Sequence, residues 1–87
     1  AGEPLALMAL PDTDLLELTL PVDAPHADRP AAELCADLPA NVVLVAIVRR
    51  GHVRAPHPET VLAAGDDLIF LSSSEDTDAL AQLLGPG

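Results

Sequence analysis

Positive charge is the scarce ingredient of this 87-residue chain. It has four Lys or Arg, all of them Arg, against 14 Asp or Glu, for a formal net charge of −10. Three of the four bases, Arg49, Arg50 and Arg54, fall on one short stretch with His52 and His57 beside them. A guanidinium presents paired donors that match phosphate oxygens, so this stretch is where an anionic ligand would be held. Arg49 and Arg50 are neighbours at a strand end and should point to opposite faces, so one enters a cleft and the other meets solvent or an acid. The plainer reading is a solvated hairpin tip whose Arg side chains pair with nearby carboxylates. The chain has one Phe, no Trp and no Tyr, so a nucleobase would have to stack on aliphatic, His or Pro surfaces.

Other chemistries find less support. Ser72, Ser73 and Ser74 coexist with three His, but no nucleophile elbow surrounds the serines. Ser72 followed by Glu75 reads as a capping box, and Glu75, Asp76 and Asp78 as acids complementing a helix N-terminus. No catalytic residue is expected. No calcium-type loop is present, and Gly65-Asp66 reads as a turn whose acid bonds its own backbone. No metal ligand is assigned. The one Cys, Cys35, forbids an internal disulfide and is expected to be a buried, inert thiol.

The acidic balance disfavours nucleic acid or a bare anionic membrane as partner, since phosphate binding needs surplus Lys and Arg. With hydrophobic residues at 49%, the chain is too apolar for a disordered acidic tail. A domain this small buries roughly 60% of its unfolded surface. A core with one aromatic side chain is thin, and pairing with a second copy is the natural reinforcement. The longest apolar run, Val42 to Val48, suits a buried strand and falls far short of the ~20 residues of a membrane span. Residues 1–12 read as a leader or upstream tail, and 13–85 as the domain.

The elements that position these residues follow from Pro spacing and periodicity. Nine Pro exclude long helices. Leu5 to Leu10 is apolar without clear period. From Asp14 the pattern alternates, with Leu16, Leu18 and Leu20 on one face and Glu17 and Thr19 on the other, until Pro21. Val22 to Asp28 is a loop. Pro30 suits a first helical turn, and Ala31 to Asp37 a short helix burying Leu34 and Cys35. Val42 to Val48 is apolar on both faces, as in a central strand. Arg49 to His52 is a tight turn, Val53 to Pro56 a returning edge strand, and Ala63 to Asp66 a second turn. Leu68 to Leu71 is a strand, and the final helix buries Leu80, Leu83 and Leu84 before Gly85-Pro86-Gly87. The order β-α-β-β-β-α makes a small α+β sandwich with its helices on one face.

This order resembles the TrkA-C domain, also called the RCK C-terminal domain. The resemblance is carried by Leu44-Val45-Ala46-Ile47-Val48-Arg49-Arg50-Gly51, Pro56, Thr60-Val61-Leu62 and Gly65-Asp66-Asp67-Leu68 in succession. It departs from the family where a Gly often opens the short helix, which here follows Asp28-Arg29-Pro30. The resemblance implies a cytoplasmic regulatory domain, peripheral to the inner face of the membrane. Its partner would be a potassium channel, Trk-type uptake system or cation/proton antiporter subunit. It implies a two-fold homodimer, here pairing through apolar strand faces and the short helix. It also implies a small ligand such as cyclic di-AMP in the dimer cleft, and no nucleic-acid polymer. It places the cleft along these strands, where Arg49, Arg50 and Arg54 are taken as the first contacts, with Asn41, Pro56 and His57 nearby. Without a G-x-G-x-x-G, no nucleotide cofactor is implied. The competing reading is a purely structural dimerisation module that binds no ligand.

Overall fold

The computed structural model describes residues 12–84. The expectations for Leu5 to Leu10 and for the stop at Gly85 to Gly87 lie outside these residues, as does most of the 1–12 tail. Four strands form one antiparallel sheet: β1 (Thr13–Thr19), β2 (Val42–Arg49), β3 (His52–Arg54) and β4 (Asp67–Ser73). Helix α1 (Ala31–Asp37) follows β1, and a short 3₁₀ turn, Ser74–Asp76, leads into α2 (Thr77–Leu84). The strand order is β1-β4-β2-β3, so β4 returns to lie between β1 and β2.

Alternation decides which face of the sheet is filled. Leu16, Phe70 and Leu44 lie opposite one another across three strands, as do Leu18 and Leu68, with Ile47 beside Leu68. Phe70, Leu68 and Ile47 are fully buried. Ala31 and Leu34 of α1 and Leu80 and Leu84 of α2 close over them, joined by Leu20 and Leu62. The alternate row, Leu15, Leu71 and Val43, faces away from the helices. Leu15 is 63% exposed and Val43 57%. β2 is therefore an interior strand, as its sequence suggests, but within one chain only one of its faces is covered. A register shift between Leu44 and Ala46 bulges Val45 outward, leaving it 39% exposed.

The helix starts differ from the sequence reading. Pro30 is the residue before α1, in extended conformation, and not part of its first turn. The open amides of Ala31 and Ala32 donate to the carbonyls of Thr60 and Pro58, at 2.7 and 2.9 Å. The helix is thus capped by the 58–62 segment, where Pro30 and Val61 form an isolated bridge. The Ser72–Glu75 capping box does not form, because β4 runs on through Ser73. Ser72 is buried, and its hydroxyl donates to the Ser73 carbonyl at 2.8 Å. Instead Thr77 Oγ1 donates to Asp14 at 2.7 Å, and β1 supplies the anion at the start of α2.

Cys35 is exposed, against the expectation of a buried thiol. A two-turn helix has a narrow inward stripe, here Ala31 and Leu34, and Cys35 falls beside it. Partial desolvation still pushes the thiol pKa up, which keeps it protonated and a weak nucleophile.

These burials identify the strand position most sensitive to charge. Ile47→Asp should unfold the chain, because an unpaired buried carboxylate costs several kcal/mol, comparable to total stability. Val45→Asp should leave the chain folded, since the bulge lets its side chain reach water. Far-UV circular dichroism with urea titration of the two variants checks both outcomes.

Candidate functional site

β2 and β3 are joined by a two-residue turn. Arg49 pairs with His52 across the strands, while Arg50 and Gly51 take φ of 53° and 77°. Positive φ at both central residues is the turn that matches strand twist, and Gly51 accepts it without a side-chain clash. The adjacent arginines consequently part company. Arg50 projects into solvent at the tip, whereas Arg49 reaches back towards the helix-covered side.

There Arg49 meets Asp66. Its Nε donates to Oδ1 at 2.8 Å and its Nη2 to Oδ2 at 2.7 Å, a two-point contact. Nη2 also lies 2.9 Å from the Val61 carbonyl. Asp66 is 2% exposed, and its Oδ2 takes a further bond from the Ala63 amide at 2.9 Å. The hydrogen-bonded guanidinium holds the Asp66 carboxyl below the usual carboxylate range against the opposing effect of burial, and the Ala63 amide and the charge of Arg54 add to it. The same bond raises the Arg49 pKa.

The bases therefore divide into two classes. Arg29 is held by Glu33 one helical turn on, with contacts of 3.0 and 2.6 Å. Arg49 is held by Asp66. The side chains of Arg50 and Arg54 are exposed and make no hydrogen bond or ion pair among the described residues. Beside the Arg49–Asp66 pair opens a hollow of about 280 Å³, lined by Arg49, Arg50, Asp66 and the turn Ala63 to Gly65. Gly65 forms that turn with φ of 90°. Arg54 pairs with Ile47 and so points to the same side of the sheet as Arg49.

The other candidates are distributed unevenly. Pro56 and His57 follow β3, with His57 exposed and its carbonyl accepting the Thr60 amide at 3.0 Å. They lie beyond the end of β3 that is remote from the Arg50-Gly51 turn. Asn41 lies at the other end of β2, its amide 3.3 Å from Asp76 and its carbonyl bonded to the Ser73 amide. Eight strand residues separate it from the turn, roughly 25 Å at strand rise. One chain thus carries Arg49 and Arg50 at the turn end of β2, Arg54 opposite Ile47, Pro56 and His57 past β3, and Asn41 at the other end of β2.

His26 lies in a loop without a motif, so no local sequence rule marks it. It is 7% exposed, and its Nε2 sits 3.0 Å from Asp37 at the end of α1, pinning the loop to the helix. None of the three serines bonds to a histidine; Ser74 and Thr77 both approach Asp14. Among the described residues no three His, Cys, Asp or Glu gather at metal-holding distance. No helix among them is long and apolar enough to cross a membrane.

Removing the Arg49 fork leaves Asp66 buried and uncompensated. Arg49→Ala should destabilise the chain by about 3 kcal/mol, and Arg49→Lys, which loses the two-point geometry, by part of that. The depressed Asp66 pKa contributes stability that is complete above the ordinary carboxylate range, about pH 4. It is lost as pH falls through the lower folded-state value. Acid unfolding of Asp66→Asn, followed by circular dichroism, should lack that component.

Comparison with known proteins places this geometry. The family model described as the TrkA-C domain matches residues 15–85. The Trk system potassium uptake protein TrkA of Mycobacterium tuberculosis (strain ATCC 25618 / H37Rv) is 36% identical over 73 residues, covering 84% of this chain and 32% of that protein. A Trk system potassium uptake protein TrkA homolog of Archaeoglobus fulgidus is 45% identical over 49 residues, 56% of this chain and 11% of that protein. The chain thus spans about a third or less of the curated relatives it matches. A solved structure described as an RCK domain with cda superposes with a TM-score of 0.64 at 26% identity, over 82% of this chain and 97% of that one. S. agalactiae BusR, in complex with its busA-promotor DNA, shares the fold at a TM-score of 0.68 and 23% identity, over 93% of this chain and 41% of that one. The sheet order, the Arg-Arg-Gly turn and the Gly-Asp turn sit within the matched span, and the chain belongs to the TrkA-C domain family, with Trk system potassium uptake proteins TrkA among its relatives.

Proposed function

We propose that this domain senses a small ligand at a two-fold dimer interface and passes the response to a transport protein. That protein would be a potassium or other monovalent-cation channel, a Trk-type uptake system or a cation/proton antiporter. The domain then works in the cytoplasm, at the inner face of the membrane, through the transporter subunit it contacts. It carries out no catalysis. Its own −10 charge argues against a nucleic-acid polymer as its partner.

The observation that carries this reading is the separation of the candidate residues. Asn41 and the Arg-rich turn lie at opposite ends of β2, too far apart to grip one small molecule within a chain. A two-fold axis that sets two copies of β2 antiparallel, with β3 and α1 at the joint, brings the Asn41 end of one copy to the Arg-rich turn of the other. A ligand with its own two-fold symmetry then meets the same residues on each half. Cyclic di-AMP has that symmetry, with two phosphates. Arg50 and Arg54 are the unpaired donors for them, and Pro56, His57 and Asn41 the contacts for the bases. Arg49 holds the turn in place through Asp66. The fold match to an RCK domain with cda supports a ligand on this scaffold. The ligand acts on transport to the extent that it binds one arrangement of the dimer better than another.

Light scattering at micromolar concentration should give twice the 9.0 kDa chain mass. Calorimetry should show cyclic di-AMP binding in preference to ATP or ADP. A charge-assisted phosphate contact is worth roughly 1.5–3 kcal/mol, so Arg50→Ala or Arg54→Ala should weaken binding about ten- to a hundred-fold. A persistent monomer would overturn the dimer. A dimer that binds none of these nucleotides would leave a purely structural pairing module.

A further inference from the structure

The side of the sheet away from the helices is apolar and uncovered. Leu15, Val43 and Val45 project from it, and Val53, which pairs with Val48, is 75% exposed at its β3 margin. The seven-residue strands β1 and β4 and the facing part of β2 give a surface about 20 Å by 15 Å, on the order of 300 Å². That is as large as the main apolar patch of many monomers.

The charged strand positions of this face are of one sign. Its strand positions include Glu17, opposite Ile69, and Asp67, opposite Thr19 and Val48. None of them is a base. Arg49 and Arg54 pair with His52 and Ile47 and therefore point to the other side. Two copies stacked by this face would enclose two Glu17 and two Asp67 carboxylates around a dry apolar joint, with no base among the paired strand positions of the face to meet them. Like charges so placed repel, and desolvation adds to the cost. The area is also well below the ~800 Å² per partner of a stable independent interface.

We infer that this face docks a protein surface whose apolar centre is bordered by Lys or Arg, and not a second copy of the chain. The apolar rows supply burial, and Glu17 and Asp67 select a basic rim. The small area makes the contact weak by itself, as suits a surface engaged within a larger assembly where effective concentration is high. This contact is separate from the two-fold pairing proposed above, which uses the β3 edge and the α1 side.

The test is amide chemical-shift mapping of the ¹⁵N-labelled chain with two designed helical peptides of one apolar pattern, one Leu/Lys and one Leu/Glu. The Leu/Lys peptide should shift amides of β1, β4 and β2 and weaken as salt is raised, and the Leu/Glu peptide should leave them unmoved. The double variant Leu15→Thr, Val43→Thr keeps strand-forming residues and should weaken Leu/Lys binding about ten-fold or more. Glu17→Lys, at an exposed position, should weaken it while leaving the fold intact. Leu/Lys shifts spread over the whole acidic surface, or binding unchanged in both variants, would overturn the inference. So would concentration-dependent shifts of the same strands in the free chain, which would assign the face to self-association.

Discussion

A carboxylate buried at position 66 is the constraint around which one end of the domain is organised. An ionised Asp with 2% exposure is untenable unless its oxygens are met. Arg49 meets both from the end of β2, and the Ala63 amide adds a third bond. The Asp66 main chain carries further ties: its carbonyl accepts the Leu20 amide, and Gly65 donates to the Leu20 carbonyl. The exit of β1, the entry of β4 and the end of β2 are thereby registered at one residue. The tie extends through Val61 and Leu62 to Asp28 and Arg29 ahead of α1. The positions of Arg50 and Arg54 are consequences of this network, although neither takes part in its hydrogen bonds.

The second constraint is the thinness of the core. Phe70 sits between Leu16 and Leu44 and is surrounded by aliphatic side chains from both helices. Two helices of seven and eight residues cover one side of a four-stranded sheet and no more. Their ends are secured by contacts distant in sequence, Thr60 and Pro58 for α1 and Asp14 for α2, because short helices gain little from their own propensity. What remains outside is an apolar sheet face and an unpaired β3 edge. A domain built this way is stable on one side and left with surfaces for association on the other.

Much of this was legible in the sequence where a local rule decides the outcome. Prolines and alternation set β1 and β4, α1 runs over the residues its pattern indicates, and Arg50-Gly51 is the turn that its glycine suggests. The readings that failed depend on what a residue meets across space. Ser72 lies three residues before an acid as a cap would, yet pairing with Val42 extends the strand through it. Val42 to Val48 looks doubly buried because its residues are apolar, but burial of the second face requires a layer that the described residues do not provide. Cys35 shares a helical pattern with Leu34, and the width of the stripe that α1 buries is set by the sheet beneath it. For the candidate site, the concentration of Arg49, Arg50 and Arg54 on one hairpin was visible. The commitment of Arg49 to Asp66, seventeen residues away, was not, since a Gly-Asp pair is equally a plain turn.

The two exposed chemistries of the domain share one strand. β2 carries Val43 and Val45 on the open apolar face and delivers Arg49, and through it the cationic turn, at its end. Between the two lies the bulge, where the register shifts between Leu44 and Ala46. A bulge bends and twists its strand, so the orientation of the turn relative to the open face is fixed at that point. Allosteric coupling requires two sites and an element that both of them bias. In this fold β2 is the element common to the Arg-rich end and the open face. The ligand proposed for Arg50 and Arg54 would bear on the same strand whose open face is proposed to meet a partner.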